Sequence, residues 1–149
     1  MEYGFVKVAS AVPTVKVADC RHNAWQMAEM IADAANQNVE IIIFPELSIT
    51  GYTCGDLFAQ SVLLEEAEKL LEWLVAETQS LPVISIVGIP HPHNGSLINA
   101  AVVFQSGKIL GVVPKTFLPN YKEFYEKRWF ASALQTPECV TSICGQRVP

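Results

Sequence analysis

Basic residues are scarce in this chain. Its 149 residues hold 10 lysines and arginines against 15 aspartates and glutamates, a net charge of −5, and the basic residues form no cluster. A phosphate-binding face needs such a cluster, so no nucleic-acid partner is expected. Long apolar runs are missing too. No stretch approaches the length of a membrane span, and the start, MEYGFVKVAS, has an acidic residue where a secretion signal would be basic. No membrane association and a cytoplasmic location are therefore expected. The four cysteines, Cys20, Cys54, Cys139 and Cys144, are scattered, with no C-x-x-C pair and no zinc-ligand spacing. That pattern favours free thiols over a metal site. Internal repeats, low-complexity tracts and linkers are also absent. What is plentiful is apolar surface: half of the residues are hydrophobic. Residues 1–149 suit a single folding unit with a substantial core, and the apolar surplus points to a partner, with a homo-oligomer expected.

The patterning is that of an α/β protein. Phe5 to Val12 reads as a first strand ended by Pro13. Asp19 can cap a helix running to about Asn36, with Ala24, Met27, Ala28, Ile31, Ala34 and Ala35 forming its apolar stripe. Ile41 to Phe44 is a short run of the kind buried on both faces, and Pro45, which has no N–H for a sheet ladder, ends it. A strand–helix–strand order predicts parallel pairing with a right-handed crossover. After the turn CGD, a helix is predicted from Ser61 to Thr78. Leu63, Leu64, Ala67, Leu70, Leu71, Leu74 and Val75 lie on its core side, and Glu65, Glu66, Glu68, Lys69 and Glu72 on its solvent side. Pro82 to Gly88 is a third strand. The segment HPHNGS reads as an exposed loop, and His91 and His93 have no third metal ligand nearby. Leu97 to Gln105 and Lys108 to Val113 form a hairpin across Ser106-Gly107. A helical turn near Lys122 to Arg128 and a strand around Val140 to Ile143 complete the expected elements.

One shape occurs twice: an apolar strand, a proline at its end, and a charge directly after. It yields Glu46 in FPELSITGY and Lys115 in VVPKTFLP. Strand ends are where open α/β sheets place their ligands. A carboxylate and an ammonium about 4 Å apart attract by roughly 4 kcal/mol at an effective dielectric of 20. A pair of this kind can supply a general base and an oxyanion stabiliser. Spacing alone favours a plain ion pair or two unrelated surface charges.

The strings FPELSITGY and PKTFLPNYKEFYE resemble the nitrilase superfamily of carbon–nitrogen hydrolases. LPNYKEFYEKRWF is similar to the amino-terminal glutaminase domains of glutamine-dependent NAD synthetases within it. The resemblance runs from Phe5 to about Phe130. It implies an αββα four-layer sandwich, only part of which this chain would build, and a Glu, Lys and Cys triad with glutamine as the substrate. By motif the base falls on Glu46 and the cation on Lys115. Tyr121 would line the glutamine pocket, and Glu126 would be the supporting second carboxylate. The resemblance implies no cofactor in this chain, with ATP and Mg expected only in a separate synthetase domain. None of the four cysteines stands in the family's strand-end Cys-Glu-Asp context, so the chain is expected to stop before the nucleophile and to be inactive alone.

Overall fold

The computed structural model describes residues 4–136 and 140–149, which leaves Cys139 outside the described residues. Its frame is two strand–helix units followed by a meander. Strand β1 (Val8–Ser10) leads to helix α1 (Cys20–Asn36), β2 (Ile41–Ile43), helix α2 (Ser61–Glu77) and β3 (Ile84–His93). Then come β4 (Ser96–Gln105), β5 (Lys108–Pro114) and a hairpin of β6 (Thr141–Ile143) and β7 (Gln146–Val148). The main sheet has the order β1-β2-β3-β4-β5. Its first three strands are parallel, as the strand–helix–strand pattern predicts, and the last two run antiparallel.

Local chemistry explains the helix ends. Asp19 caps α1 by accepting the His22 N–H at 3.0 Å. The far end closes with Val39 N–H on Ala34 O and Asn38 N–H on Ala35 O, and Asn38 adopts φ 56°. This is a Schellman closure, and asparagine is among the few non-glycine residues that enter the left-handed region at modest cost. Met27 and Ile31 of α1 and Leu71 and Leu74 of α2 are fully buried, as are Ile42, Val87 and Val102 of the sheet. Each such side chain stabilises the fold by about 1.5–3 kcal/mol. The opposite sheet face is open, with Val8, Ile43 and Val113 all at least 46% exposed. Beside the β6–β7 hairpin, the described residues thus form one helical and one sheet layer with the outer sheet face bare, as a partial αββα sandwich is expected to look.

Strand β3 overruns its expected end at Gly88 by five residues. His91 and His93, expected in an exposed loop, are buried on its helix-facing side, and both rings meet the Thr141 hydroxyl, at 2.9 and 3.0 Å. Burial holds the His91 imidazole below its ordinary range against the pull of the Glu68 carboxylate. Pro90 and Pro92 do not stop the strand. β2 ends at Ile43, so beyond that point β3 pairs only with β4 and the missing N–H groups face a free edge. The turn at Asn94-Gly95, with φ 48° and 76°, is a tight hairpin, as is Ser106-Gly107 at 49° and 77°. Glu68, expected to face water, accepts the Cys144 N–H at 2.8 Å and so anchors the β6–β7 hairpin.

Two devices aim residues at the carboxyl end of the sheet. The first is a β-bulge. Pairing runs Gln105↔Lys108 and Phe104↔Ile109, then Val103↔Gly111, so Leu110 is the extra residue. That insertion shifts the register by one and turns every later β5 side chain to the other face. The second is Gly88. A Cβ there would lie 2.2 Å from the Leu47 nitrogen, because the chain after β2 crosses directly over β3. Gly88→Ala is expected to cost about 1–3 kcal/mol through this clash. Urea unfolding should show a lower midpoint with an unchanged m value; an unaltered midpoint would mean that the crossing relaxes freely.

Candidate active site

Glu46 leaves the end of β2 on a tight loop. Leu47 takes φ 52° and Gly51 φ 85°, with the Gly51 N–H on Leu47 O at 2.7 Å. A left-handed leucine costs of order 1–2 kcal/mol, and complete burial of its side chain offsets that. Ile49 N–H on Gly88 O and Gly88 N–H on Ser48 Oγ, both 3.1 Å, staple the loop to β3. Lys115 follows β5 directly, its N–H bonded to Asn99 O at 2.8 Å. Glu126 opens a 3₁₀ turn, Glu126–Arg128, and its side chain is only 3% exposed.

These three elements meet. Lys115 Nζ lies 2.7 Å from Glu46 Oε1 and 2.9 Å from Glu126 Oε1. Tyr52 OH donates to the same Glu126 oxygen at 2.7 Å, and Asn99 Nδ2 donates to Glu46 Oε1. Burial pushes the Lys115 ammonium down, but hydrogen bonds and charge from Glu46 and Glu126 overcome it, and its pKa is raised. Burial, the bond to Glu126 and the neighbouring carboxylates together hold the Tyr52 phenol far above the ordinary tyrosine range. Glu46 and Lys115 face one crevice of about 320 Å³, with Phe44, Gly88, Asn99 and Val113 also in its wall.

A second contact set braces the cluster. Arg128 grips Asp56 through Nε at 2.8 Å and a terminal nitrogen at 3.1 Å, and the Trp129 indole N–H joins at 3.0 Å. The guanidinium and indole hold the Asp56 carboxyl down to about 2. Phe58 packs on Trp129 and Phe130 with ring centroids 5.9 and 5.0 Å apart. The 3₁₀ turn Gly55–Ala59 is thereby tied to the turn that presents Glu126.

Of the residues singled out in the sequence, the structure brings Glu46, Lys115 and Glu126 together. Tyr121 stands apart: it is 63% exposed, rests edge-on against Phe124 and lines a separate groove of about 720 Å³ that starts one residue beyond Lys115. The sequence reading missed Tyr52, Asn99 and Asp56. A lone polar side chain inside the apolar run LINAAVVF marked Asn99, but nothing local marked its partner. Cys20, Cys54 and Cys144 do not line the crevice, and burial raises all three thiols, Cys20 and Cys144 to about 12. Among the described residues no group of three or more histidines, cysteines or carboxylates could hold a metal ion.

A helix layer on a mixed sheet, with an ammonium seated between carboxylates at the strand ends, defines a nitrilase-type α/β protein. The chain belongs to the carbon–nitrogen hydrolase family, whose model matches residues 7–146. It is 38% identical over 130 residues to the glutamine-dependent NAD(+) synthetase of Mycobacterium tuberculosis, covering 87% of this chain and 19% of that protein. The crystal structure of a glutamine-dependent NAD(+) synthetase from Cytophaga hutchinsonii superposes with a TM-score of 0.80 at 31% identity, over 85% of this chain and 22% of that one. An amidase from Nesterenkonia sp. shares the fold, with a TM-score of 0.71 at 21% identity over 95% of this chain and 53% of its own. The chain spans between about one fifth and one quarter of the length of the curated synthetases it matches.

The cluster has a signature at high pH. Tyr52 and Lys115 both bind their proton more tightly folded than unfolded. Their stabilisation is complete below about pH 10, near the unfolded values, and is lost as pH rises through the folded ones. The urea midpoint should fall as pH rises above that point, and Tyr52→Phe should flatten the fall. An equal slope in the variant would place the pH dependence elsewhere.

Proposed function

We propose that this chain carries the base and the cation of a glutaminase site, the part of a glutamine-dependent NAD synthetase that releases ammonia. The observation that carries the reading is Lys115 held between Glu46 and Glu126 at the mouth of a crevice. Similarity to synthetases over most of the chain supports glutamine as the substrate class. Cys20 and Cys54 are buried and Cys144 is half-buried, all away from the crevice and with raised thiol pKa values, and Cys139 lacks the family's strand-end context, so we place the attacking thiol in the remainder of the parent protein. A cytoplasmic setting fits thiols that stay unpaired.

In the reaction Glu46 takes the thiol proton, because a thiol of ordinary pKa near 8.5 is mostly protonated at neutral pH. Sulfur then bonds to the side-chain amide carbon, and the carbonyl electrons move to oxygen. Lys115 stabilises that oxyanion. Glu46 returns the proton to nitrogen as the C–N bond breaks and ammonia leaves. Water, deprotonated by Glu46, hydrolyses the thioester to glutamate and thiol. Glu126 fixes Lys115, and its Oε2, buried without a partner among the described residues, is free to accept an N–H from the substrate. The groove beside Tyr121 takes the amino-acid end of glutamine. ATP-dependent amidation of deamido-NAD then belongs to the rest of the synthetase.

The test uses the natural full-length protein with deamido-NAD and ATP, fed either glutamine or an ammonium salt. Glu46→Gln keeps the side-chain size and removes the base, which costs roughly 100- to 10,000-fold. NAD formation from glutamine should collapse by that factor, and formation from ammonium should persist. A wild-type protein that makes no NAD from either source would instead favour a free-standing amidase. Loss of both activities in the variant would make Glu46 structural.

A further inference from the structure

We infer that Asn99 is a positioning residue that holds the Glu46–Lys115 pair in register and selects Glu46 Oε2 as the oxygen that handles the proton. The reaction it serves is the glutaminase reading above; the positioning itself rests on geometry. Asn99 is 4% exposed and reaches both partners by different groups. Its backbone oxygen accepts the Lys115 N–H at 2.8 Å, and its side-chain amide donates to Glu46 Oε1. No other described residue hydrogen-bonds to both.

The strand register explains why this residue can do so. The Leu110 bulge makes Ala100 the partner of Pro114, and the ladder continues one step to the bond between Asn99 and Lys115. Residues directly opposite in a ladder present side chains on the same face. Asn99 also faces the same side as Ala101, whose partner on β3 is Gly88, the residue crossed by the loop that carries Glu46. The amide therefore stands at the one place where the β5 end and the β2 loop converge.

The chemistry requires an amide there. The Glu46 side chain is 39% exposed, so water competes for its oxygens and three rotatable bonds let it swing away from Lys115. Asn99 Nδ2 and Lys115 Nζ both donate to Oε1, and no described residue donates to Oε2. The two donors fix the carboxylate plane and leave Oε2 as the acceptor turned to an incoming thiol. An aspartate in place of Asn99 would have the same outline but would set a third carboxylate against Glu46 and Glu126, with a single ammonium among them.

The experiment compares Asn99→Ala and Asn99→Asp in the full-length protein. Both keep the backbone bond to Lys115 and remove only the donor. A displacement of about 1 Å at a reacting group can cost on the order of 100-fold. We expect kcat for glutamine to fall by about that factor in Asn99→Ala with KM little changed. The isosteric Asn99→Asp should fall further, and NAD formation from ammonium should persist in both. A pure packing role predicts the opposite order, because aspartate fills the site and alanine leaves a cavity. Asn99→Asp at or above Asn99→Ala, a loss confined to KM, or equal loss of the ammonium-driven activity would each overturn the inference. If wild type turns over no glutamine, the glutaminase reading fails on its own. Crystal structures of the 149-residue chain and its Asn99→Ala form then decide the positioning. A Glu46 carboxylate that leaves Lys115 supports it, and one that stays on Lys115 without the amide overturns it.

Discussion

A single ammonium ties the functional end of this molecule together. Lys115 reaches two carboxylates, Glu46 on the loop after β2 and Glu126 on the 3₁₀ turn. Charges at these separations attract by several kcal/mol even at an effective dielectric near 20. Lys115 is only partly buried, so desolvation takes back less than the two carboxylates contribute, and the lysine stays charged. Two carboxylates against one ammonium leave an excess negative charge. The Tyr52 hydroxyl and the Asn99 amide meet it as neutral donors, one on each carboxylate. Removing either carboxylate would leave Lys115 on a single carboxylate and one of the two neutral donors without its acceptor.

The backbone had to be bent to allow this meeting. An unbroken β4–β5 ladder would set Lys115 opposite Ile98 and turn its side chain toward the helices. The extra residue at Leu110 reverses that, as bulges beside active sites often do. The loop carrying Glu46 crosses β3 at a distance that no side chain but glycine permits, so Gly88 is as much a part of the site as the charged groups. Leu47 adds a left-handed turn on the same loop. Strain gathered next to the reacting groups, and covered by a well-packed core, is the usual way a fold stores precise geometry.

The rest of the molecule holds these parts still. The bidentate Asp56–Arg128 contact and the Phe58–Trp129–Phe130 packing fix the turn that presents Glu126. At the far end of β3 and β4, the His91–Thr141–His93 contact and the Glu68–Cys144 bond pin the β6–β7 hairpin, and Pro149 O closes on the Val112 N–H at 2.9 Å. What remains uncovered is the sheet face with Ile43 and Val113, the face into which the crevice opens.

Much was decided by the sequence alone. The capped α1, the apolar stripe of α2, the parallel start of the sheet, the Ser106-Gly107 hairpin and the strand-end positions of Glu46 and Lys115 all depend on periodicity, capping and turn chemistry, which act over a few residues. Glu126 was reachable only through its resemblance to a family motif. Asn94-Gly95 carries as clear a hairpin signal as Ser106-Gly107, yet HPHNGS reads as a loop. Pro90 and Pro92 fit a strand because β2 stops early, which is a fact about a neighbour and not about β3 itself. The tertiary structure alone decided that Lys115 faces Glu46, that Asn99 and Tyr52 complete the cluster, and that His91 and His93 are buried. Each of these depends on pairing between segments 40 or more residues apart or on a one-residue slip in register. A periodic pattern records which side chains share a face of one strand; it carries no term for which strand lies beside it.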